Sequence, residues 1–285
     1  MLAVSAGDEG HTVSEAWPSE WLPAPEPPPE LDTSVAHPAR VYDYWLGGKD
    51  NFAADREAAE RVLAVTPGLR FRVRANRAFL ARAVRYLVSE AGIRQFLDIG
   101  TGIPSASNTH EVAQGIAPDA RVVYVDNDPI VLVHARALLT STPEGACDYL
   151  AADLRKPGPI LQHAAGTLDF GQPVALMLLG ILHLISDAED PYQIVRQLID
   201  AVPSGSYLVI SHPASDIAGN QREAQQRYNE RVSTPQTLRS EAEVARFFGG
   251  LELVPPGLVA VHTWRPDGLV PPGATSAHGG VARKP

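Results

Sequence analysis

The sequence has little of several features that would define other classes of protein. Its 285 residues include a single cysteine, Cys147, which excludes a disulfide bond within the chain. Cysteine and histidine are nowhere grouped with the spacing of a zinc site, and we predict no bound metal. No apolar run approaches the roughly 18 residues needed to cross a bilayer. The sequence therefore argues against a disulfide scaffold, a zinc protein and a membrane protein.

An excess of positive charge is also missing. The formal net charge is −9 at pH 7, whereas nucleic-acid-binding proteins usually carry a basic face, so we expect no nucleic-acid partner. The N-terminus has no basic flank followed by an apolar block, so no signal peptide is expected. These observations predict a cytoplasmic protein without a membrane partner, and they leave a homodimer possible.

The two ends of the chain are poor in core-forming residues. The N-terminal stretch "WPSEWLPAPEPPPELD" is rich in proline and glutamate, and we predict that residues 1–36 are disordered. The stretch "GLVPPGATSAHGGVARKP" has a similar character, and we predict a flexible tail over residues 268–285. The folded part is then expected to comprise a helical extension over residues 37–92 and a larger domain over residues 93–267.

Between these ends, strand-like and helix-like patterns alternate. Short apolar, β-branched segments predict strands at 96–99, 121–126, 147–153, 173–180 and 206–212. Helices are predicted between and around them at 53–65, 73–91, 106–116, 129–139, 156–162, 191–201, 221–231 and, capped by Thr234, 235–248. The segments "LELVPP" and "LVAVHTW" predict a sixth and a seventh strand that pair with each other. This alternation predicts an α/β fold with a doubly wound, mainly parallel sheet.

The stretch "FLDIGTGIPSAS" predicts a strand that runs into a glycine-rich turn, Gly100-Thr101-Gly102. Ligands of open parallel sheets bind at such a place, although a tight turn without a ligand has the same pattern. A phosphate-binding loop would need a following lysine, which is missing, so ATP and GTP are disfavoured. A dinucleotide fingerprint would have a third glycine where Ser105 stands, which weakens NAD.

Two acidic residues end the next two predicted strands. Asp126 ends "VVYVD" at the spacing from which a carboxylate accepts hydrogen bonds from a ribose diol. Asp153 ends "CDYLAAD" and can accept a hydrogen bond from an adenine amino group. NAD has no regular use for the second acid. S-adenosylmethionine uses both and carries no phosphate, so we predict S-adenosyl-L-methionine as the cofactor.

Three longer stretches carry a family resemblance: "ARVYDYWLGGKDNFAADREAAERV", "FLDIGTGIPSASNTHEVAQ" and "ARVVYVDNDPIVLVHARALL". They resemble an actinobacterial family of S-adenosylmethionine-dependent methyltransferases, long catalogued as a domain of unknown function, from about residue 37 to residue 265. The resemblance implies a class I Rossmann-like fold of seven strands with the last antiparallel. It also implies cofactor contacts for Gly100, Thr101 and Gly102 at the methionine end, Asp126 at the ribose, and Asn127, Asp153 and Leu154 around the adenine.

Gly180 lies at the end of the fourth strand and is expected to contact the cofactor. The acceptor side is expected over the same strand end. His183 follows it and is the candidate general base, with a histidine bonded to backbone as the alternative. His212 is a second candidate. No [DN]-P-P-[FY] motif follows the fourth strand and Cys147 begins the third, which argues against methylation of adenine, amide nitrogen or cytosine C5. We therefore expect a small-molecule acceptor.

The stretch "RVYDYWLGGKDNF" is either a helix packed on the body or a lid over the cofactor, in which Tyr44 and Gly48 would contact it. The basic run at 70–82 is typical of a solvated helix face; alternatively, its arginines meet an acidic substrate. Two other functions stay open: a regulatory or scaffold protein that binds S-adenosylmethionine without transferring its methyl group, and an NAD-dependent oxidoreductase.

Overall fold

The computed structural model describes residues 32–66, 68–138, 140–217, 221–230, 232, 234–268 and 277–285. The predicted disorder of residues 1–31 falls outside these ranges. Leu31–Pro285 form one compact unit. In the described ranges, no helix has the length and apolar character that crossing a membrane requires.

A single mixed sheet organises the fold. Its strands are β1 (Gln95–Ile99), β2 (Arg121–Asp126), β3 (Ala146–Ala151), β4 (Ala175–Leu179), β5 (Tyr207–Pro213), β6 (Glu252–Leu253), β7 (Val259–Ala260) and β8 (Ala277–Arg283). The order across the sheet is β3-β2-β1-β4-β5-β8-β6, and β7 also pairs with β8. Neighbours among β1–β5 pair in parallel, whereas β8 is antiparallel to its partners. The doubly wound sheet with a last, antiparallel strand is confirmed.

Helices cover both faces of this sheet. They are α1 (Pro38–Leu46), α2 (Ala53–Val65), α3 (Leu69–Ser89), α4 (Thr109–Gln114), α5 (Pro129–Leu138), α6 (Pro157–Ala164), α7 (Pro191–Asp200), α8 (Gln221–Asn229) and α9 (Glu241–Ala245). Local sequence explains their starts: Asn108 and Glu111 form a capping box at α4. Thr234 was the wrong cap, because the last helix begins after Ser240, whose hydroxyl accepts from the Glu243 amide.

Alternate residues of the strands enter two separate cores. Leu97 and Val123 face one side of the sheet, in the core that holds the inward residues of α6 and α7. Phe96 and Val122 face the other side, which packs against α3 and the buried Trp264. Strands covered on both faces must be apolar throughout, which is why their sequences show no polar alternation.

The C-terminal segment is not the flexible tail that its composition predicts. Residues 277–283 form β8, which pairs with the whole length of β5. The predicted sixth and seventh strands are two-residue segments that pair with β8, not with each other. Composition was misleading here because the strand is fixed by pairing on both sides, not by apolar side chains of its own.

The predicted helical extension is present, and the residues just before its first helix are packed against it. A third cluster of buried side chains joins α1, α2 and α8, and it includes Ala36, which is 2% exposed. The Arg40 guanidinium donates to the carbonyl oxygens of Asp32 and Val35. Residues 32–36 are therefore ordered against the folded body, and the predicted disorder is wrong for this part.

Candidate functional site

A cleft opens at the carboxyl ends of β1, β2 and β4, beneath α1. It encloses about 840 Å³ of space that no atom occupies, including space open to solvent. Of the residues that the sequence marks as cofactor contacts, six line it: Gly100, Thr101, Gly102, Asp126, Asn127 and Gly180. Parallel strands deliver these residues to one edge, as expected for the ligand site of an open sheet.

The glycine turn leaves no room for a side chain at its first position. Gly100 has a φ of +77°, and a Cβ there would lie 2.5 Å from the Ile181 side chain. Thr101 closes the turn, since its hydroxyl donates to the Asp98 carbonyl oxygen at 3.1 Å. The turn thus brings bare backbone to the cleft, where a ligand can approach it closely.

Asp126 connects the turn to the end of β2. Its Oδ2 accepts from the Gly102 amide at 2.8 Å and its Oδ1 accepts from the Asp128 amide at 2.9 Å. Burial raises the pKa of this carboxyl, which is 8% exposed, and the two amide donors oppose that rise. A carboxylate has about four acceptor positions, so two remain for hydroxyl donors from a ligand.

Toward β3 the cleft continues into a second cavity of about 430 Å³, including open space. Leu154, Ile181 and Ile185 provide apolar walls, and Asp153 lies at its rim. The Asp153 carboxylate accepts from the Arg155 amide at 2.9 Å. The Arg155 guanidinium also lies 3.2 Å from Asp153. Apolar walls with an acceptor carboxylate among the lining residues suit a base that carries an amino group.

Sequence reasoning missed one acid in the cleft. Asp98, in the middle of the quoted "FLDIG", is 4% exposed and accepts from the Thr109 hydroxyl at 2.6 Å. Burial raises the pKa of Asp98 to about 6, with Thr109 and Arg77 opposing the rise. The interruption of an otherwise apolar strand by a charged residue was the available signal.

Two expected contacts lie outside the cleft, because α1 turns them away. Tyr44 points to the outer side, where its hydroxyl contacts Glu60 and its ring lies 5.1 Å beneath the Arg70 guanidinium. Gly48 lies beside Asp43, with a hypothetical Cβ only 1.9 Å from the carboxylate, and it does not line the cleft. Tyr42 and Trp45 line it instead.

Buried charges fix α1 over the end of β2. His37 Nδ1 lies 2.8 Å from Asp128 Oδ2. The Arg40 Nε lies 3.5 Å from the same carboxylate and 3.6 Å from Asp55 Oδ1. Because Asp128 donates its amide to Asp126, this network links the helix over the cleft to the candidate ribose acid.

The two candidate bases differ in their environments. His183 Nδ1 is buried without a hydrogen-bond partner among the described residues. Burial, assisted by Arg239, lowers the pKa of His183 to about 3, so the ring is neutral at physiological pH. The His212 ring bonds to the Pro213 carbonyl oxygen through Nδ1 and to the Arg239 guanidinium through Nε2, at 2.8 and 2.9 Å. Both its nitrogens are engaged, so His212 is structural.

Beyond His183 lies an adjoining cavity of about 760 Å³, including open space, between α1, α2, α3, α8 and the end of β5. It shares a boundary with the cleft. The residues that line both are Tyr42, Trp45, Asn76, Gly180, His183 and Gln236. The molecule therefore holds two adjacent compartments that share these residues, one over the glycine turn and one behind His183.

The strand order, the antiparallel strand between β5 and β6, and the glycine turn below a cleft with acids on β2 and β3 define a class I S-adenosylmethionine-dependent methyltransferase fold. The sequence pattern of the S-adenosyl methyltransferase family matches residues 24–285, and the chain belongs to that family. S-adenosylmethionine is accordingly the cofactor. The match reaches past residue 265 and includes β8.

Two solved structures are similar over nearly the whole chain. A DUF574 family protein from Streptomyces avermitilis is 48% identical, with a TM-score of 0.87 over 90% of this chain and 100% of that chain. A candidate methyltransferase from Thermobifida fusca is 43% identical, with a TM-score of 0.83 over 92% of this chain and 99% of that chain. A search of curated proteins gave no match. The resemblance to an actinobacterial methyltransferase family is confirmed.

Proposed function

We propose that the protein catalyses methyl transfer to a small-molecule acceptor that occupies the adjoining cavity. The observation that carries this proposal is the shared boundary of the two compartments at Gly180, His183 and Asn76. When bound, S-adenosylmethionine supplies a methyl group whose carbon–sulfur bond breaks, with the electron pair kept by sulfur, as an acceptor lone pair bonds to the carbon. The chain contributes mainly by holding donor and acceptor in line.

Different parts of the cleft suit different parts of the cofactor. We assign the backbone of Gly100–Gly102 to the methionine end, because the turn is open there. Asp126 receives the ribose hydroxyls on its two free acceptor positions. Asp153 and Leu154 contact the adenine, with Asn127 beside it, because all three line the cavity toward β3. No basic cradle is required, since the cofactor carries no phosphate.

His183 is the group placed to receive a proton from the acceptor. Its buried Nδ1 has no partner among the described residues, and the ring lines both compartments. With a pKa of about 3 it is uncharged and a weak base, so it suits an acceptor that becomes acidic as the new bond forms. An acceptor without such a proton needs no base.

Isothermal titration with S-adenosylmethionine, S-adenosylhomocysteine and NAD tests the cofactor assignment. We expect micromolar binding of the first two and none of NAD. Asp126→Ala should weaken binding by about 1–3 kcal/mol, because ribose hydroxyls lose a charged acceptor. Asp119→Ala, whose carboxylate forms an exposed pair with Arg94 away from both compartments, is the matched acidic control, and we expect it to bind the cofactor as the unaltered protein does. Unchanged affinity in Asp126→Ala would contradict the assignment.

Transfer itself is tested by incubating the protein with methyl-labelled cofactor and a panel of small molecules. A labelled product that requires His183 would support the enzymatic role. Tight cofactor binding without turnover on any acceptor would instead indicate a protein that binds S-adenosylmethionine as a regulator or scaffold.

A further inference from the structure

The adjoining cavity contains polar atoms that the protein leaves unsatisfied. Thr66 Oγ1, Arg72 Nη1 and Ser211 Oγ are buried there without a hydrogen-bond partner among the described residues. At the boundary with the cleft, Asn76 Oδ1 and His183 Nδ1 are unpartnered as well. Buried polar atoms are normally paired, so a group of them around one cavity indicates a polar ligand.

Arg72 is the charged member of this group of unpartnered side chains. It follows Leu69 and precedes Val73 and Asn76 on one face of α3, and all four line the cavity. In the described part of the chain, no acidic side chain forms an ion pair with Arg72. Burial alone lowers the pKa of its guanidinium. Arg72 is half-buried, with its Nη1 inaccessible to solvent. A partly desolvated cation without a counter-charge favours a ligand that supplies one.

The remaining walls are largely apolar. Trp45, Val62 and Leu69 lie on one side, and Val73 and Leu238 add further apolar surface. Arg72 and Thr66 line the adjoining cavity but not the cofactor cleft, whereas His183 lines both. The charged end of the cavity is thus separate from the boundary with the cleft.

We propose that the acceptor is a small carboxylic acid with an apolar body, held through its carboxylate by Arg72 and the Thr66 hydroxyl. This inference rests on the proposed function. The apolar body lies between α1 and α3, and the atom that receives the methyl group lies at the opposite end, beside His183. Arg72 is then the residue that selects acids over neutral molecules.

The charge of the cavity favours a carboxylate over a phosphate. Among the described lining residues, Arg72 is the sole lysine or arginine, and the pKa values of His183 and His212 are lowered by burial. One guanidinium matches one carboxylate with two parallel hydrogen bonds. A doubly charged phosphate would leave one charge without a partner.

The test uses the full chain saturated with S-adenosylhomocysteine and calorimetric titration of probe acids. The probes are benzoate, phenylacetate, cinnamate and indole-3-acetate, each with its primary amide, and phenyl phosphate. The variants are Arg72→Met, Arg72→Lys and, as matched control, Arg74→Met, which removes an exposed arginine from the same helix. Arg72→Met keeps an apolar stem and removes an uncompensated charge, so we expect it to fold.

We expect at least one acid to bind, its amide to bind at least tenfold more weakly, and Arg72→Met to lose at least tenfold in affinity for the acid. Arg72→Lys should recover part of this loss, and Arg74→Met should match the unaltered protein. S-adenosylhomocysteine affinity should be the same in all variants.

Binding of none of the acids, equal binding of acid and amide, equal binding to Arg72→Met, or preference for phenyl phosphate would each overturn the inference and leave the cofactor assignment intact. Failure of S-adenosylhomocysteine to bind the unaltered protein would instead remove the proposed function and this inference with it.

Discussion

Asp98 is the residue whose ionisation bears most directly on the cleft. Its pKa of about 6 means that the carboxyl is largely protonated in the free protein at pH 5 and ionised at pH 7. The cofactor carries an ammonium group at its methionine end, which favours the ionised carboxylate. We expect S-adenosylmethionine affinity to rise between pH 5 and pH 7, by at most about tenfold per pH unit, and to level off above.

Asp98→Asn is the control, since calorimetry on it should show a flatter pH profile. In the unliganded protein, the same raised pKa makes the stability of the fold decrease as pH rises. The unfolded chain ionises Asp98 near pH 3.8, so the contribution of this carboxyl to stability is present at lower pH and is lost as pH rises through about 6. An affinity that is constant from pH 5 to pH 7 would contradict the placement of the ammonium group beside Asp98.

Gly100 and Gly102 form a matched pair for testing the turn. Both have positive φ, but only at Gly100 would a Cβ meet another side chain, 2.5 Å from Ile181; at Gly102 there is open space. Gly102→Ala should cost about 1–2 kcal/mol of stability from backbone strain alone. Gly100→Ala should cost at least about 1 kcal/mol more, because Ile181 must move. Urea unfolding measures both, and equal losses would argue against close packing at Gly100.

Among the elements, α1 is attached to the body by buried charge. Arg40→Met removes the guanidinium that lies within 3.6 Å of the carboxylates of Asp55 and Asp128, whose side chains are 0% and 2% exposed. We expect a loss of about 3 kcal/mol in urea unfolding and faster proteolysis near α1, since broken buried pairs are strongly destabilising. Arg61→Met, which removes a surface pair with Glu57, should cost about 1 kcal/mol or less. Similar losses in the two variants would contradict a structural role for the buried network.

The elements also differ in how far the sequence predicts them. The central strands are recognisable because each is a short apolar segment bounded by turn residues, and their carboxyl ends therefore locate Gly100 and Asp126. β8 was missed because "AHGGVAR" has glycines where a strand usually has branched side chains; Gly279 lies where a Cβ would be 2.8 Å from Val261. Close packing of the sheet against its neighbours requires glycine there, and single-sequence patterns do not contain that neighbour.

In α1, the helix face that lines the cleft is not the face that the sequence prediction chose. Tyr42 and Trp45 face the cleft, whereas Tyr44, between them in sequence, faces outward. Helical periodicity allows either face to be the buried one, and the choice is made by contacts with α2 and α3 that lie far along the chain. The residues shared by the two cavities are unpredictable for the same reason, because they come from α1, α3, the segment after β4 and the segment between α8 and α9.

At the scale of the whole molecule, cofactor binding should stabilise the fold, because the cleft is formed by several strands and by α1. At a concentration of about 100 times the dissociation constant, the gain is about 2.7 kcal/mol. For a chain of this size that corresponds to a rise in melting temperature of about 5–10 °C. Differential scanning fluorimetry with S-adenosylhomocysteine, with NAD as control, checks this value. An equal rise with NAD would contradict the cofactor assignment.

The position of β8 in the chain also determines when its partner strands can pair during protein synthesis. β5, β6 and β7 are all translated before it, yet among the described residues the sheet joins them through residues 277–283. A nascent chain therefore exposes the unpaired edge of β5 until residues 277–283 have been translated, and exposed edges promote aggregation. A nonsense codon that removes residues 277–283 would consequently be as damaging to folding as one placed much earlier.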